Sequence, residues 1–342
     1  MRRSFPKSLV QAIVVVGLGA GLAACGGSDT KTTAASTPVA AKIAGPEPGT
    51  IRMATEPWLG YGPWYVAQDK KLFTAQGIEK VDITLFDSDA PLNAALLAGE
   101  VDVANIATHT ALRFAAAGAP ITILMQLDNS LQADAIVAED SIKTVADLKG
   151  KKVAYEEGTT SDLLLHYALA QEGLSGADIQ KSLGKAATVG TSLLAGEVPA
   201  AVTYEPYISE TLKKKAGYKI LAAAAIKPGL VSDVLVVRNS YLKDHPGQIT
   251  ALARTWQAAV DEYKTNTAEA QKSINKGIGY DPGAESYAGV EFIDTKSNDL
   301  TGKFAGIAAD VLKAATDAGI IKGTVDPAKI IDGQYVAAAN AG

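Results

Sequence analysis

The sequence predicts an α/β protein made of two similar lobes, and two observations carry that prediction. From Thr50 onward, short apolar runs alternate with helix-like stretches of about ten residues, the pattern of parallel strand–helix–strand units. The hexapeptide LLAGEV then occurs twice, at residues 96–101 and 193–198. Each copy ends a helical stretch at glycine and enters a strand-like run.

The elements can be justified in order. IRMAT (51–55) reads as a strand and residues 63–73 as a helix, shaped at its start by Gly60, Gly62 and Pro63. Within that stretch Trp64 and Tyr65 fall on the helix and are expected in the core. VDITLF (81–86) and VDVANIA (101–107) read as strands, each followed by a helix (91–98 and 110–117), and ITILMQL (121–127) closes the series. The plan repeats with KKVAY (151–155), a helix over 161–171 with Gly173 as its C-terminal cap, AAVTY (200–204), a helix over 206–215 and YKILAAA (218–224). ADAIVAE (133–139) and SDVLVVR (232–238) are apolar runs between the halves and fit crossover strands. After Arg238 the chain reads as mostly helical, with 245–264 the longest piece, expected to pack back on the first lobe.

The expected organisation is therefore residues 49–132 for the first lobe, 133–232 for the second with crossover strands at its ends, and 233–342 for the return and the C-terminal helices. Residues 1–24 stand apart. Arg2, Arg3 and Lys7 precede an apolar stretch that ends in LAAC, the pattern of a bacterial lipoprotein signal peptide with Cys25 as the lipidated residue. Arg2–Arg3 also echoes a twin-arginine signal, so both the general secretory and the twin-arginine routes stand open. Residues 25–48 are rich in Gly, Ser, Thr, Ala and Pro and read as a flexible tether.

Composition narrows the function. The 342 residues carry a formal net charge of −5, which becomes more negative when the three basic residues of the leader are removed. No basic patch suggests nucleic acid, and no second apolar run is long enough to span a bilayer. Cys25 is the only cysteine, so no intrachain disulfide and no cysteine-based metal cluster can form. His109, His166 and His245 have no metal-ligand spacing, and no nucleophile–base or phosphate-loop motif is present. No enzyme activity, cofactor or metal is expected.

In open α/β sheets, ligands bind beyond the carboxyl ends of the strands. That rule picks out Glu56, Trp58 and Tyr61 after the first strand, and Asp87, Ser88 and Asp89 after the second. Thr108 and His109 follow the third, and Asp128 ends the fourth. In the second half it picks out residues 156–161, with Thr159, Thr160 and Ser161 at a helix start, then Tyr204 with Glu205, and Asp233 at the return crossover. The stretch GTTSD (158–162) has two readings: an ordinary N-cap, or an anion site made by unpaired amides and the helix dipole. Glu56, Asp128, Glu205 and Asp233 point the other way, since carboxylates pair with an ammonium or guanidinium. A ligand with an amine and an acid group would use both. Trp58 and Tyr61 offer it an apolar or cation–π wall.

PWLGYGPWYVAQDKKLF, LLAGEVDVANIA, DLKGKKVAYEEGTTSDLLLHYAL and AVTYEPY together resemble the solute-binding proteins of ABC importers for nitrate, taurine and aliphatic sulfonates, a family that includes thiamine-precursor binders. The resemblance covers roughly residues 50–331. It implies a two-lobe periplasmic-binding-protein fold of type II with two hinge strands, closing on a small-molecule ligand held between the lobes. It implies permease subunits as partners, a monomer, and a place on the outer side of the cytoplasmic membrane, lipid-anchored at Cys25. It also places the GTTSD loop at the cleft. The expected ligand is a small polar organic solute of the taurine or sulfonate type, amine-bearing. Nitrate, an alkanesulfonate or a thiamine-precursor pyrimidine is the alternative, and an enzyme or a ligand-sensing lipoprotein on the same fold is the alternative of another class.

Overall fold

The computed structural model describes residues 45–342. The expected signal peptide, Cys25 and most of the expected tether lie outside the described residues. Eleven strands form two sheets among these residues. The first holds β1 (Thr50–Thr55), β2 (Lys80–Leu85), β3 (Val103–Ala107), β4 (Ile121–Ser130), β10 (Ser232–Arg238) and β11 (Val290–Phe292). The second holds β5 (Asp134–Glu139), β6 (Lys152–Tyr155), β7 (Gln180–Leu183), β8 (Ala200–Tyr204) and β9 (Tyr218–Ala223).

The strand orders are β11-β4-β10-β3-β1-β2 and β7-β6-β8-β5-β9. Read in the same sense, β2-β1-β3-β10-β4 and β7-β6-β8-β5-β9 follow one plan. In each, the first strand pairs in parallel with the second and third. In each, a strand that follows a passage between the sheets lies antiparallel beside the third. The apolar runs 133–139 and 232–238 are thus interior strands of the two sheets, and the chain passes between sheets just before each of them. The repeated LLAGEV has one geometry in both places. Gly99 (φ 79°) and Gly196 (φ 74°) take left-handed backbone that a side chain resists. The next N–H then donates back to the helix, Glu100 to Ala95 O at 2.9 Å and Glu197 to Ser192 O at 3.0 Å.

Burial explains the strands. All five residues of β3 are buried, as a central strand requires, whereas β2 alternates along an edge. The first core forms around Trp64, which packs against Trp256 at 4.8 Å and stacks on Phe73 at 6.0 Å. Trp64 Nε1 donates to Asn105 Oδ1 at 2.9 Å, so this fully buried indole leaves no donor unpaired. The helix expected over 63–73 is two pieces, Gly62–Asp69 and Leu72–Ala75. Lys71 takes φ 57° between them, and the second piece turns Phe73 inward. The long helix Pro246–Thr265 lays Ile249, Leu252, Trp256 and Val260 on this core.

A second core gathers Tyr155, Leu163, Leu164 and Leu165 with Val202. The helix Lys303–Asp317 belongs to both cores: Phe304 and Ala308 enter the first, Val311 and Ala315 the second. Glu47, inside the stretch that reads as tether, accepts from the N–H groups of Gly247 and Gln248 at 3.0 and 2.9 Å, satisfying two free amides at the start of the long helix.

Candidate functional site

A cavity of about 100 Å³ opens where the two sheets turn their strand ends toward each other. The parallel strands bring their carboxyl ends. Glu56 follows β1, Asp87 to Asp89 follow β2, Glu156 follows β6, Lys185 follows β7, and Tyr204 ends β8. The antiparallel strands bring their beginnings: Asp134 is the first residue of β5 and Asp233 the second of β10.

Eleven sequence-predicted residues line this cavity: Glu56, Trp58, Tyr61, Asp87, Ser88, Asp89, Glu156, Thr159, Thr160, Tyr204 and Asp233. Trp58 and Tyr61 are held by carboxylates. Trp58 Nε1 donates to Asp128 Oδ2 at 3.0 Å, and Tyr61 Oη donates to Asp233 Oδ1 at 2.9 Å. Trp58 meets Tyr204 edge to face across the cavity, and Tyr204 meets Tyr207 the same way at 5.2 Å. Thr159 caps the helix Thr160–Gln171, its Oγ1 accepting from Ser161 N–H at 3.3 Å and donating to Glu156 O at 2.9 Å. Thr160 Oγ1 donates to Asp134 Oδ1 at 3.4 Å.

Five other predicted residues sit behind the wall. Asp128 is fully buried under Trp58. Thr108 shares a hydrogen bond with Ser232 at 2.8 Å, and Ser161 is buried in the first turn of its helix. His109 is buried against the Gly158 carbonyl at 3.4 Å. Burial, with the Arg113 charge nearby, pulls its imidazole down to about 4, so it is neutral at physiological pH. Glu205 is turned away from the cavity. Its carboxylate accepts from Ser209 N–H (3.2 Å), Ser209 Oγ (2.9 Å) and Ser286 Oγ (3.3 Å).

Three lining residues matter further, and two of them, Asp134 and Lys185, fall outside those predictions. Asp134 is the counterpart of Asp233, one position into ADAIVA as Asp233 is into SDVLVV, and that parallel was readable in the sequence. Asp89 lies beside Glu56, close enough to share a hydrogen bond. Lys185 is the one base among the described lining residues, and it follows a short polar strand with no apolar signal.

The electrostatics follow from crowding. Six carboxylates line the cavity: Glu56, Asp87, Asp89, Asp134, Glu156 and Asp233. Desolvation pushes Asp134 up to about 7. Desolvation and the facing acids hold Glu56, Asp89, Asp128 and Asp233 above the ordinary carboxylate range. Among the described residues, no set of three or more His, Cys, Asp or Glu is arranged to hold a metal ion.

One loop joins this site to its surroundings. Gly158 has φ 81° and its carbonyl accepts from Arg113 Nη1 at 3.2 Å, a bond from the first lobe to the second. The Gly158 N–H donates to Asp162 Oδ2 at 2.8 Å, and Asp162 is paired with His166 at 2.7 Å.

Residues 44–277 match the model of the NMT1-like family, more than half of the sequence. The chain belongs to the NMT1-like family. Other resemblances stand beside this one. A Brucella abortus sequence named as a binding protein is 26% identical over 212 residues, 61% of this chain and 64% of that one, so the match spans just under two thirds of the relative's length. The taurine-binding periplasmic protein of Escherichia coli is 24% identical over 208 residues, 60% of this chain and 64% of that protein. Among solved structures, the alkanesulfonate-binding protein of Xanthomonas axonopodis superposes with a TM-score of 0.71 at 20% identity, covering 84% of this chain and 99% of that one. This family member therefore has the two-lobe fold of periplasmic binding proteins, with the cavity between its lobes.

Proposed function

We propose that this protein is the exported solute-binding component of an ABC importer and that its ligand is a small organic solute carrying a positively charged amine. The single observation that supports this reading is the charge of the cavity: six carboxylates against one lysine. A bare anion entering that space finds one lysine to pair with among six acids, whereas an ammonium gains charge-assisted hydrogen bonds. The size, about 100 Å³, suits a solute of a few heavy atoms. Trp58 and Tyr204 supply ring faces and edges for its carbon skeleton or its charge.

A second reading has its own support. A zwitterion of the taurine type would place its amine among Glu56, Asp89 and Asp233, and its acid group toward Lys185 and the Thr159–Thr160 turn. In either case the lobes close on the ligand because it contacts both only when they are together. The partners are permease subunits. The protein works as a monomer outside the cytoplasmic membrane, anchored through a lipid on Cys25, and binds its ligand without turnover.

The test is a thermal-shift screen of taurine, alkanesulfonates, nitrate, primary amines, guanidines and pyrimidines, followed by calorimetry of each hit. Stabilisation by amine-bearing compounds and none by nitrate or simple alkanesulfonates is the expected result. The opposite selectivity overturns the reading.

A further inference from the structure

The carboxyl groups around the cavity are too close together to be ionised at once. Asp128 and Asp233 are directly opposed in the β4–β10 register and close enough to share a hydrogen bond. Asp128 Oδ2 already takes the Trp58 indole N–H, while its Oδ1 is buried with no donor among the described residues. Asp233 takes the Tyr61 hydroxyl. An ionised Asp128 would therefore face a second carboxyl with a bare oxygen, unless a proton lies between them. Glu56 and Asp89 form a second such pair, with Glu156 facing both. Asp134 stands beside Asp233 with the Thr160 hydroxyl, at 3.4 Å, to support it.

The neighbouring cations do not cancel this crowding. Arg113 touches the field of Asp89 from the helix Thr108–Ala116 but donates to the Gly158 carbonyl. His109 on the same helix is neutral. Lys185 is exposed at the rim, opposite the exposed Asp87. From β8, Tyr204 brings a hydroxyl and no charge. The cavity therefore holds these acids together only by keeping some of them protonated.

We propose that the cavity takes its ligand as a cation in exchange for protons held on its own carboxyl groups. The proposal rests on the amine-bearing ligand argued above and goes further, by fixing the currency of binding. An ammonium brings into the Asp128–Asp233 and Glu56–Asp89 region the positive charge that the shared protons supplied. Those protons leave to solvent, one per carboxyl that becomes ionised, so charge balances. An amine stays protonated throughout the window, because its ordinary value lies near that of lysine, about 10. The sign follows: affinity rises with pH while the empty site still holds protons, by about tenfold per pH unit for each proton displaced. A neutral isostere of the ligand, an alcohol in place of the amine, displaces none. The site thus distinguishes charge from shape, and it loosens its ligand where the surroundings turn acidic.

The experiment uses the full chain. Infrared spectroscopy of the ligand-free protein near neutral pH reads protonated carboxyl groups directly. The expected spectrum has a protonated-carboxyl band that falls on adding a saturating primary amine, with matching acidification in a weakly buffered pH-indicator assay. Asp128→Asn removes one partner of the central pair and lowers the number of protons released by about one, and Asp134→Asn serves the same purpose should Asp128→Asn fail to fold. Absence of the band overturns the proposal. Amine binding with the band unchanged and no acidification also overturns it, while leaving the amine-ligand reading intact. If no amine binds, that reading falls and the exchange with it. Binding of a sulfonate or nitrate with uptake of protons is the outcome that marks this case.

Discussion

Trp58 and Tyr204 meet edge to face, with ring centroids 5.9 Å apart and planes at 81°. One ring follows β1 and the other ends β8, so the contact joins the two lobes across the cavity. It is fixed from behind by the 3.0 Å hydrogen bond from Trp58 to Asp128. Trp58→Phe keeps an aromatic edge and deletes the N–H. The buried Asp128 then loses its donor, at a cost of about 1–3 kcal/mol in stability. Ligand affinity is expected to fall by less than about tenfold, since Phe retains most of an edge-to-face pair worth about 1 kcal/mol. Urea denaturation and calorimetry check the two effects separately.

Gly60 sits where the backbone must approach that hydrogen bond. A Cβ there would lie 1.5 Å from Asp128 Oδ2 and 2.3 Å from Trp58 Nε1. Gly60→Ala must push both side chains apart, and a destabilisation of about 1–3 kcal/mol or more is expected. A thermal midpoint equal to that of the wild type would show that the loop can retreat.

Asp134 sets a pH dependence for the empty protein. Its carboxyl titrates at about 7 in the folded state, against an ordinary 3.8. The folded protein therefore holds a proton that the unfolded chain has released. This contribution to stability is complete below the unfolded value and is lost as pH rises through about 7. Asp134→Asn is expected to stabilise the ligand-free protein at pH about 8, by at most ~4 kcal/mol, and to change little near pH 4. Denaturant midpoints at the two pH values read this directly.

Arg113→Ala removes the 3.2 Å bond to the Gly158 carbonyl and with it one tie between the lobes. Under the proposed hinge closure this tie forms as the lobes meet, so the loss is expected mainly in dissociation of the ligand. A hydrogen bond from a charged donor contributes about 1.5–3 kcal/mol, which predicts faster release by tenfold or more with a small change in unfolding midpoint. Stopped-flow fluorescence from Trp58 follows the release.

Glu205→Ala should do the reverse. Its carboxylate satisfies Ser209 and Ser286 and does not reach the cavity. A loss of about 1–3 kcal/mol in stability with unchanged affinity is expected. Lower affinity for an amine in this variant would bring Glu205 back among the ligand contacts.

The alternation of apolar runs and helices made the fold legible, because nine of the eleven strands among the described residues carry an apolar run or an apolar alternation. The elements that escaped were polar or late. β7 is QKSL, with three of its four residues exposed, and offers no alternation to read. Lys185 follows it and was hidden with it. β11 is three residues long. The site was legible wherever a parallel strand ends, as at Glu56, Trp58 and Tyr204. The strand-end rule missed Asp134, because an antiparallel strand delivers its first residues, not its last, to the same cavity, and only the likeness of ADAIVA to SDVLVV points to it. Glu205 shows the converse. A carboxylate at the right strand end can be claimed by a local serine, and no spacing rule announces which way it will turn.

The order of strands in the first sheet has a consequence for synthesis. β10 lies between β3 and β4, yet the chain reaches it only at Ser232, after the whole second sheet. A chain emerging N-terminus first holds β1 to β4 with their centre missing until residues 232–238 arrive. In the second sheet the strand that joins β6 to β5 is β8, and it arrives at Ala200, within that sheet's own stretch of chain. The lobe that begins first is therefore the one that finishes last. The nascent protein keeps an open, threadable N-terminal half for most of its own production.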